Sequence, residues 1–390
     1  MNQSYSHNGS AGDALYHLQP VKQLGGGNFY IYPAAKPDHR MLRSHAESVL
    51  ALIRNQPYIT AAAWREDVEG LDLSGWRENY KNNTNLTDMC CTWLGLPHPP
   101  RCEPWLQVPD IKRVAKVVIN RCPRWRNDKF PWLRAYMMYG KEAVFVGRPE
   151  EHSEFCFSWG PISYHYTENH LELAKVIAGA DLFIGNQSSA AAVAEGMKVA
   201  MVQETLNRDH WWSNCHWDRK HKVHVYDKDA VMPDPDELLD YWAGAKAEIV
   251  QSFTGIQRDQ LKSLACEIRR VEHISGDMAE IGIETRGSTK LMATVCPGKT
   301  LHVIGTADTI LDGHNVTWHA NADMLHCQSE SLNFVHLHLS EIAMYDDVLY
   351  TIERLWNKMS HDGSIIISGD SDLLSRCELL PSGLKRIRKC

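Results

Sequence analysis

Residues 166–204 read YTENHLELAKVIAGADLFIGNQSSAAAVAEGMKVAMVQE. The pattern is an amphipathic helix, a short apolar strand, a tight polar turn, a small-residue helix and a second strand, which together form an αβαβ run containing a βαβ unit. The turn Gly185-Asn186-Gln187-Ser188-Ser189 opens a helix made almost wholly of Ala and Val. The first N–H groups of a helix have no partner within it and carry the positive end of its dipole, so an anion of phosphate size fits there. A capped helix start after a strand is also common without any ligand, and the turn alone leaves both readings open.

The surrounding chain sets bounds on function. It has 390 residues, a length that predicts more than one domain. Its net charge of −7 gives no general attraction to nucleic acid or to an anionic membrane. No apolar run reaches about 18 residues, so no spanning helix is expected. The N-terminal MNQSYSHNGSAGDALYH lacks both the basic and the apolar parts of a secretory signal. Eleven cysteines without a CxxC pair or metal spacing predict reduced thiols and a cytoplasmic protein.

Turn and periodicity signals place further elements on both sides. Residues 7–13 read as a small polar loop, 14–24 as a helix, and 28–33 as a strand after Gly25-Gly26-Gly27. A helix is expected over 39–55, and the Pro-rich 96–109 is a candidate linker. A second αβ block has strands at 115–120 and 143–147 with a helix at 130–140, and 234–252 reads as a closing helix. From about residue 257 the alternation restarts. Helices are expected over 259–272 and 346–359, and strands over 277–283, 300–305, 332–338 and 364–368, which predicts a second parallel sheet with covering helices.

Two motifs in residues 1–250 resemble the GT-B glycosyltransferases, most nearly the heptosyltransferase-like group. Ser10-Ala11-Gly12-Asp13-Ala14-Leu15, followed by Leu18 and Pro20, is similar to that family's N-terminal Gly-Asp loop. Ala180-Asp181-Leu182-Phe183-Ile184-Gly185-Asn186-Gln187-Ser188-Ser189 is similar to its ADLFIGNDSG phosphate turn. The resemblance implies two facing Rossmann-like domains, 1–108 on the acceptor side and 109–250 on the nucleotide-sugar side. It makes Asp13 the general base towards an acceptor hydroxyl. Gly12, Gly185, Asn186, Gln187, Ser188 and Ser189 fall to the donor, and one direct displacement implies inversion. Here Gln187 replaces the family's acid, Ser189-Ala190 replaces Gly-Pro, and the following His is absent, so the donor sugar does not follow from the likeness.

A basic stretch runs from Lys112 to Arg134, with Trp125, Phe130 and Trp132 interleaved. It follows a buried-type strand, at the sheet edge where α/β folds bind ligands. Arg121, Arg124 and Arg126 are candidates for the donor diphosphate or for phosphates of a nucleic-acid acceptor, against a solvated basic face. Glu195 is a candidate for the nucleotide ribose, against a surface residue at a helix end. The aromatic segment 209–217 is a candidate stacking surface for sugar or base, against a packed loop. No metal site is expected.

Residues 257–390 resemble class I SAM-dependent methyltransferases, most nearly the macrocin O-methyltransferase-like group. The match runs through Glu280, Gly282, Gly287 and Ser288 in the first Gly-rich loop, with strands at 303–305, 334–339 and 362–367. The family's ribose acid and metal carboxylates do not recur: 305–307 read Gly-Thr-Ala with Asp308 one step late, 338–341 read His-Leu-Ser-Glu, and 368–370 read Ser-Gly-Asp. This half is therefore expected to be an inactive fold kept for interaction, homodimerisation or acceptor positioning. Lys385, Arg386, Arg388 and Lys389 are expected to form a solvated basic tail.

Taken together, the sequence predicts an α/β chain with two facing Rossmann-like domains and a third, methyltransferase-type domain. The expected activity is inverting transfer of a hexosyl- or pentosyl-type sugar from a nucleotide-diphosphate donor, with no further cofactor, to an envelope glycan or a hydroxymethylated DNA base. The alternatives are SAM-dependent O-methylation of a sugar and a non-catalytic binding protein.

Overall fold

A computed structural model describes residues 3–34, 41–79, 85–206, 219, 221–225, 232–251, 256–271, 274, 276–281, 287–296, 299–304, 316–319, 332–338, 359–368, 378–379 and 385–388. The chain divides into two compact units, Met1–Trp242 and Ala243–Cys390.

The first unit opens with β1 (Ser4–His7), α1 (Ala11–Gln23), β2 (Gly27–Ile31), α2 (Arg43–Ile53), β3 (Ile59–Trp64), β4 (Leu71–Asp72), a 3-10 stretch at Leu73–Asn79 and α3 (Leu86–Trp93). Its strands form a parallel sheet in the order β3-β2-β1-β4. The strand β1 carries no apolar alternation in its sequence, and its Ser6 and His7 are nonetheless buried. The helix α1 starts earlier than its apolar pattern. The Ser10 hydroxyl accepts the Asp13 N–H, and the Asp13 carboxylate accepts the Ser10 N–H, each at 3.4 Å. This capping box draws Gly12 and Asp13 out of the expected loop and into the first helical turn. Pro20 lies inside α1 and has no N–H for the Tyr16 carbonyl; the Thr87 hydroxyl of α3 donates to that carbonyl at 3.3 Å.

A second sheet follows, with β5 (Val117–Asn120), α4 (Trp132–Tyr139), β6 (Ala143–Phe145), α5 (Pro149–Trp159), β7 (Ser163–Tyr164), α6 (His170–Gly179), β8 (Leu182–Asn186), α7 (Ser189–Gly196), β9 (Met201–Glu204) and β10 (Lys222–Val225). All six strands are parallel, in the order β10-β9-β8-β5-β6-β7. This is a doubly wound sheet whose strand order reverses between β5 and β8, and such folds bind ligands outside the carboxyl ends at that reversal. The small residues of α7 let α1 pack along it in one shared core. At the far end of α7, the Trp105 and Leu106 N–H groups donate to the Gly196 carbonyl at 2.9 and 3.0 Å.

The helix α8 (Leu238–Gln251) follows a 3-10 turn that Asp234 caps. The second unit then contains α9 (Arg258–Val271), β11 (Asp277–Ile281), α10 (Gly287–Val295), β12 (Leu301–Ile304), β13 (Val316–His319), β14 (Leu332–His338), β15 (Met359–Ser368), β16 (Glu378–Leu379) and β17 (Lys385–Arg388). The sheet order is β13-β12-β11-β14-β15-β17-β16, with β11 to β15 parallel and β17 antiparallel to both its neighbours. Two expectations change here. Met359 begins a strand rather than ending a helix, and residues 346–358 lie outside the described residues. The stretch read as a basic tail holds a strand: Lys385–Arg388 runs antiparallel to β15, with Ile387 paired to Ile365.

The first unit is thus α/β with two parallel sheets, and the second has a mainly parallel sheet of its own. Among the described residues, no helix is long and apolar enough to cross a membrane.

Candidate active site

The carboxyl edges of the two sheets in the first unit meet at two helix starts. A Cβ placed on Gly12 would lie 3.7 Å from the Ser188 carbonyl and 3.8 Å from the Ser189 N and Cα. The first turn of α1 therefore touches the first turn of α7, and two positive helix ends share one seam. Asp13 stands in that turn beside Gly12, with its side chain 22% exposed.

On the α7 side, the residues of the turn divide between structure and site. A Cβ on Gly185 would fall 2.6 Å from the Asn120 carbonyl, so this glycine serves the close approach of β8 to β5 and not the donor expected of it. Asn186 is buried and also faces inward. Its Oδ1 accepts the Cys122 N–H at 2.9 Å, and its Nδ2 donates to the Cys122 and Arg124 carbonyls at 2.9 and 2.6 Å. It clamps the loop after β5 rather than cradling a phosphate. The Ser188 hydroxyl donates to Asn120 Oδ1 at 2.9 Å and accepts the Ala191 N–H at 3.2 Å as the helix cap. The Ser189 hydroxyl, the Gln187 side chain and the N–H groups of Ser189 and Ala190 have no hydrogen-bond partner among the described residues.

The clamped loop carries the basic strip. Arg121 is expected to hold the donor, but it is buried and bonds both oxygens of Glu204 at 2.9 and 3.0 Å, with the Trp132 and Trp159 rings 5.5 and 4.7 Å away. Glu204 also accepts the Asn127 N–H and the Trp132 indole N–H at 2.7 and 3.1 Å, which saturates the pair. Arg126 forks onto Glu154 and donates to the Cys122 carbonyl. Lys112, Arg113 and Lys116 are paired with Glu172, Asp181 and Glu142. The strip is therefore largely neutralised by the chain's own acids. Arg124 is exposed, and its guanidinium bonds no described residue. At Trp125 the backbone is left-handed, with φ 57°, directly after the Arg124 carbonyl that Asn186 holds.

The α1 side holds a network that sequence reasoning missed. Arg77 reaches Asp13 Oδ2 at 3.2 Å and Asn8 Oδ1 at 3.3 Å, with its guanidinium 5.0 Å from the Trp76 ring. Asn8 Nδ2 donates to the Tyr32 hydroxyl at 2.8 Å, and that hydroxyl donates to Asp72 at 2.7 Å. Burial and then the Asp72 carboxylate push the Tyr32 hydroxyl up to about 12. Below the loop, His7 and His17 are buried with their Nδ1 atoms 3.1 Å apart, and His7 Nε2 accepts the Gly9 N–H at 2.8 Å. Burial first, then neighbouring positive groups including Arg77, hold both imidazoles low; His17 falls to about 3. Residues 64 positions apart meet here because β1 and β4 lie side by side, with Ser6 paired to Asp72.

Glu195 does not reach the seam. It is buried at the other end of α7, bonded to Lys198 at 2.7 Å and to Arg219 at 3.2 Å. Six residues of helix separate it from Ser189, about 9 Å of axis. In the second unit, Glu280 is buried and bonded to the Thr289 hydroxyl of α10. Gly287 and Ser288 begin α10, whereas Gly282, the 209–217 segment, 305–308, 339–341 and 369–370 lie outside the described residues. Among the described residues, no group of three or more His, Cys, Asp or Glu is arranged to hold a metal ion.

No family model matches the chain, and no curated protein matches it. Solved structures do resemble it. A glycosyl transferase of family 9 from Veillonella parvula aligns with 67% of this chain and 92% of its own, at 11% identity and a TM-score of 0.40. The E. coli heptosyltransferase WaaC with ADP aligns with 63% of this chain and 100% of its own, at 9% identity and a TM-score of 0.41. The E. coli ADP-heptose lps heptosyltransferase II aligns with 65% of this chain and 100% of its own, at 11% identity and a TM-score of 0.33. Likenesses this loose leave the chemistry to be read from the seam itself.

Proposed function

We propose that the first unit is a GT-B-type glycosyltransferase that moves a sugar from a nucleotide-diphosphate donor to an acceptor hydroxyl. One observation carries this reading: the starts of α1 and α7 touch at Gly12 and Ser188-Ser189, with the Asp13 carboxylate in the same helical turn. The N–H groups of Ser189 and Ala190, the Ser189 hydroxyl, Gln187 and Arg124 are the groups left to receive the diphosphate. As the bond to the sugar breaks, charge grows on the leaving diphosphate, and fixed N–H dipoles stabilise it there. Asp13 takes the acceptor proton, which requires its carboxylate to leave Arg77 or share it. One base and one displacement give inversion at the anomeric carbon.

The neutralised basic strip favours a glycan-type acceptor over nucleic acid, since a phosphate backbone needs free cations. For the second unit we infer a methyltransferase-like fold without methyl transfer. Its strand order also reverses beside β11, but Glu280 there is already committed to Thr289.

The test does not need the acceptor. Water can replace an acceptor hydroxyl, so slow release of nucleoside diphosphate is measured across a panel of nucleotide sugars. Release with one donor class, lost in Asp13→Asn while that nucleotide still binds, supports the reading. Release that is unchanged in Asp13→Asn removes Asp13 as the base, and binding of SAM alone would move the activity to the second unit.

A further inference from the structure

The pair His7–His17 has no part in the reaction above, yet it lies directly under the turn that carries Asp13. An amide N–H can only donate, so the 2.8 Å contact from Gly9 requires a lone pair on His7 Nε2. A neutral His7 then bears its proton on Nδ1. That proton points at His17 Nδ1, 3.1 Å away, which must accept it, leaving the His17 proton on Nε2. Buried His17 Nε2 finds no partner among the described residues, so both tautomers are set from the Gly9 end. Gly9 is in turn wedged. A Cβ on it would lie 2.5 Å from Arg77 Nη2 and 2.6 Å from His7 Nε2. Arg77, pressed against the same face of Gly9 as the His7 ring, is the group that holds Asn8 and Asp13.

We propose that His7 is a positioning residue: in its Nδ1-H tautomer it fixes Gly9, and through Gly9 and Arg77 it sets the place of the Asp13 carboxylate. The charged and titratable groups facing it are His17 on α1 and Arg77 on the 3-10 stretch. Protonation of His7 would turn Nε2 into a donor facing the Gly9 N–H and release the wedge. The proposal rests on Asp13 as the general base, and its test separates the two.

The whole chain is labelled at histidine and aspartate, with His7, His17 and Asp13 assigned by substitution. Nitrogen shifts should report Nδ1-H for His7 and Nε2-H for His17, with no titration of either from pH 8 to pH 5. The carboxyl carbon of Asp13 should change its chemical shift at pH 7 in His7→Leu and keep it in His7→Gln, whose amide oxygen can still accept the Gly9 N–H. In turnover, His7→Leu should lose at least tenfold in kcat with donor KM within threefold, and His7→Gln should recover most of it. Reversed tautomers, a His7 that titrates near pH 6.5, or an Asp13 carboxyl shift unmoved in folded His7→Leu would overturn the proposal. A wild-type chain that turns over no nucleotide sugar overturns the transferase reading instead, and the Asp13 carboxyl shift still decides the placement.

Discussion

Asp13 holds contacts that a general base must give up: the Ser10 N–H and the Arg77 guanidinium both rest on its Oδ2. Arg77 is 35% exposed and the bond is long at 3.2 Å, so the exchange is a small one. Gly9→Ala must push the His7 ring or Arg77 aside and is expected to lose about 2 kcal/mol of stability, read by urea denaturation. An unchanged midpoint would mean that the wedge is soft. Gly12→Ala meets only ordinary contacts at 3.7 Å and should fold normally, as circular dichroism and the same denaturation would show. The polar turn before α7 was legible because it follows the apolar end of β8 and opens a run of small residues. Arg77, Tyr32 and Asp72 were not, because nothing in their local sequence marks them; the parallel register of β1, β2 and β4 brings them together. Arg121 misled for a related reason: its partner Glu204 lies 83 positions away and is invisible from the loop alone.

At the scale of elements, the run of helix and strand in 166–204 was legible because its helices are amphipathic or small and each strand opens on apolar residues. Strand β1 was hidden by its polar SYSH sequence, and the first turn of α1 was hidden by a capping box that looks like a loop. The loop after β5 owes its shape to Asn186, whose side chain makes three hydrogen bonds to it. Asn186→Ala should therefore cost about 3 kcal/mol and release Arg124 and Trp125, at about 1 kcal/mol for each bond. Hydrogen exchange at Cys122 and the urea midpoint check this together. If neither changes, the loop is held by the Arg121–Glu204 pair instead. Thr87→Val strips the Tyr16 carbonyl beside Pro20 of its donor and should cost about 1 kcal/mol by the same measurement.

The whole molecule inherits a pH dependence from its buried imidazoles. Burial holds His17 at about 3 and His170 at about 4, and His7 well below its ordinary value. An unfolded histidine takes its proton near pH 6.5, whereas these folded ones do not until far lower. The unfolded chain then binds more protons, so stability is full above about pH 6.5 and falls as pH drops towards 4. His17 and His170 should each remove about 2 kcal/mol by pH 5, and a urea midpoint equal at pH 7 and pH 5 would contradict it. The doubly wound order of the second sheet was expected in outline from alternating helices and strands, but the meeting of the two carboxyl edges depends on helix packing that no local pattern records. Calorimetric titration of the whole chain and of Ser189→Asp with nucleoside diphosphates tests whether the donor binds where those edges meet. A carboxylate at this first helical position favours the helix itself while repelling an anion at its start. One diphosphate is expected to bind per chain, weakened at least tenfold in the folded Ser189→Asp variant. Equal binding by both chains would place the nucleotide elsewhere and contradict the seam as its site.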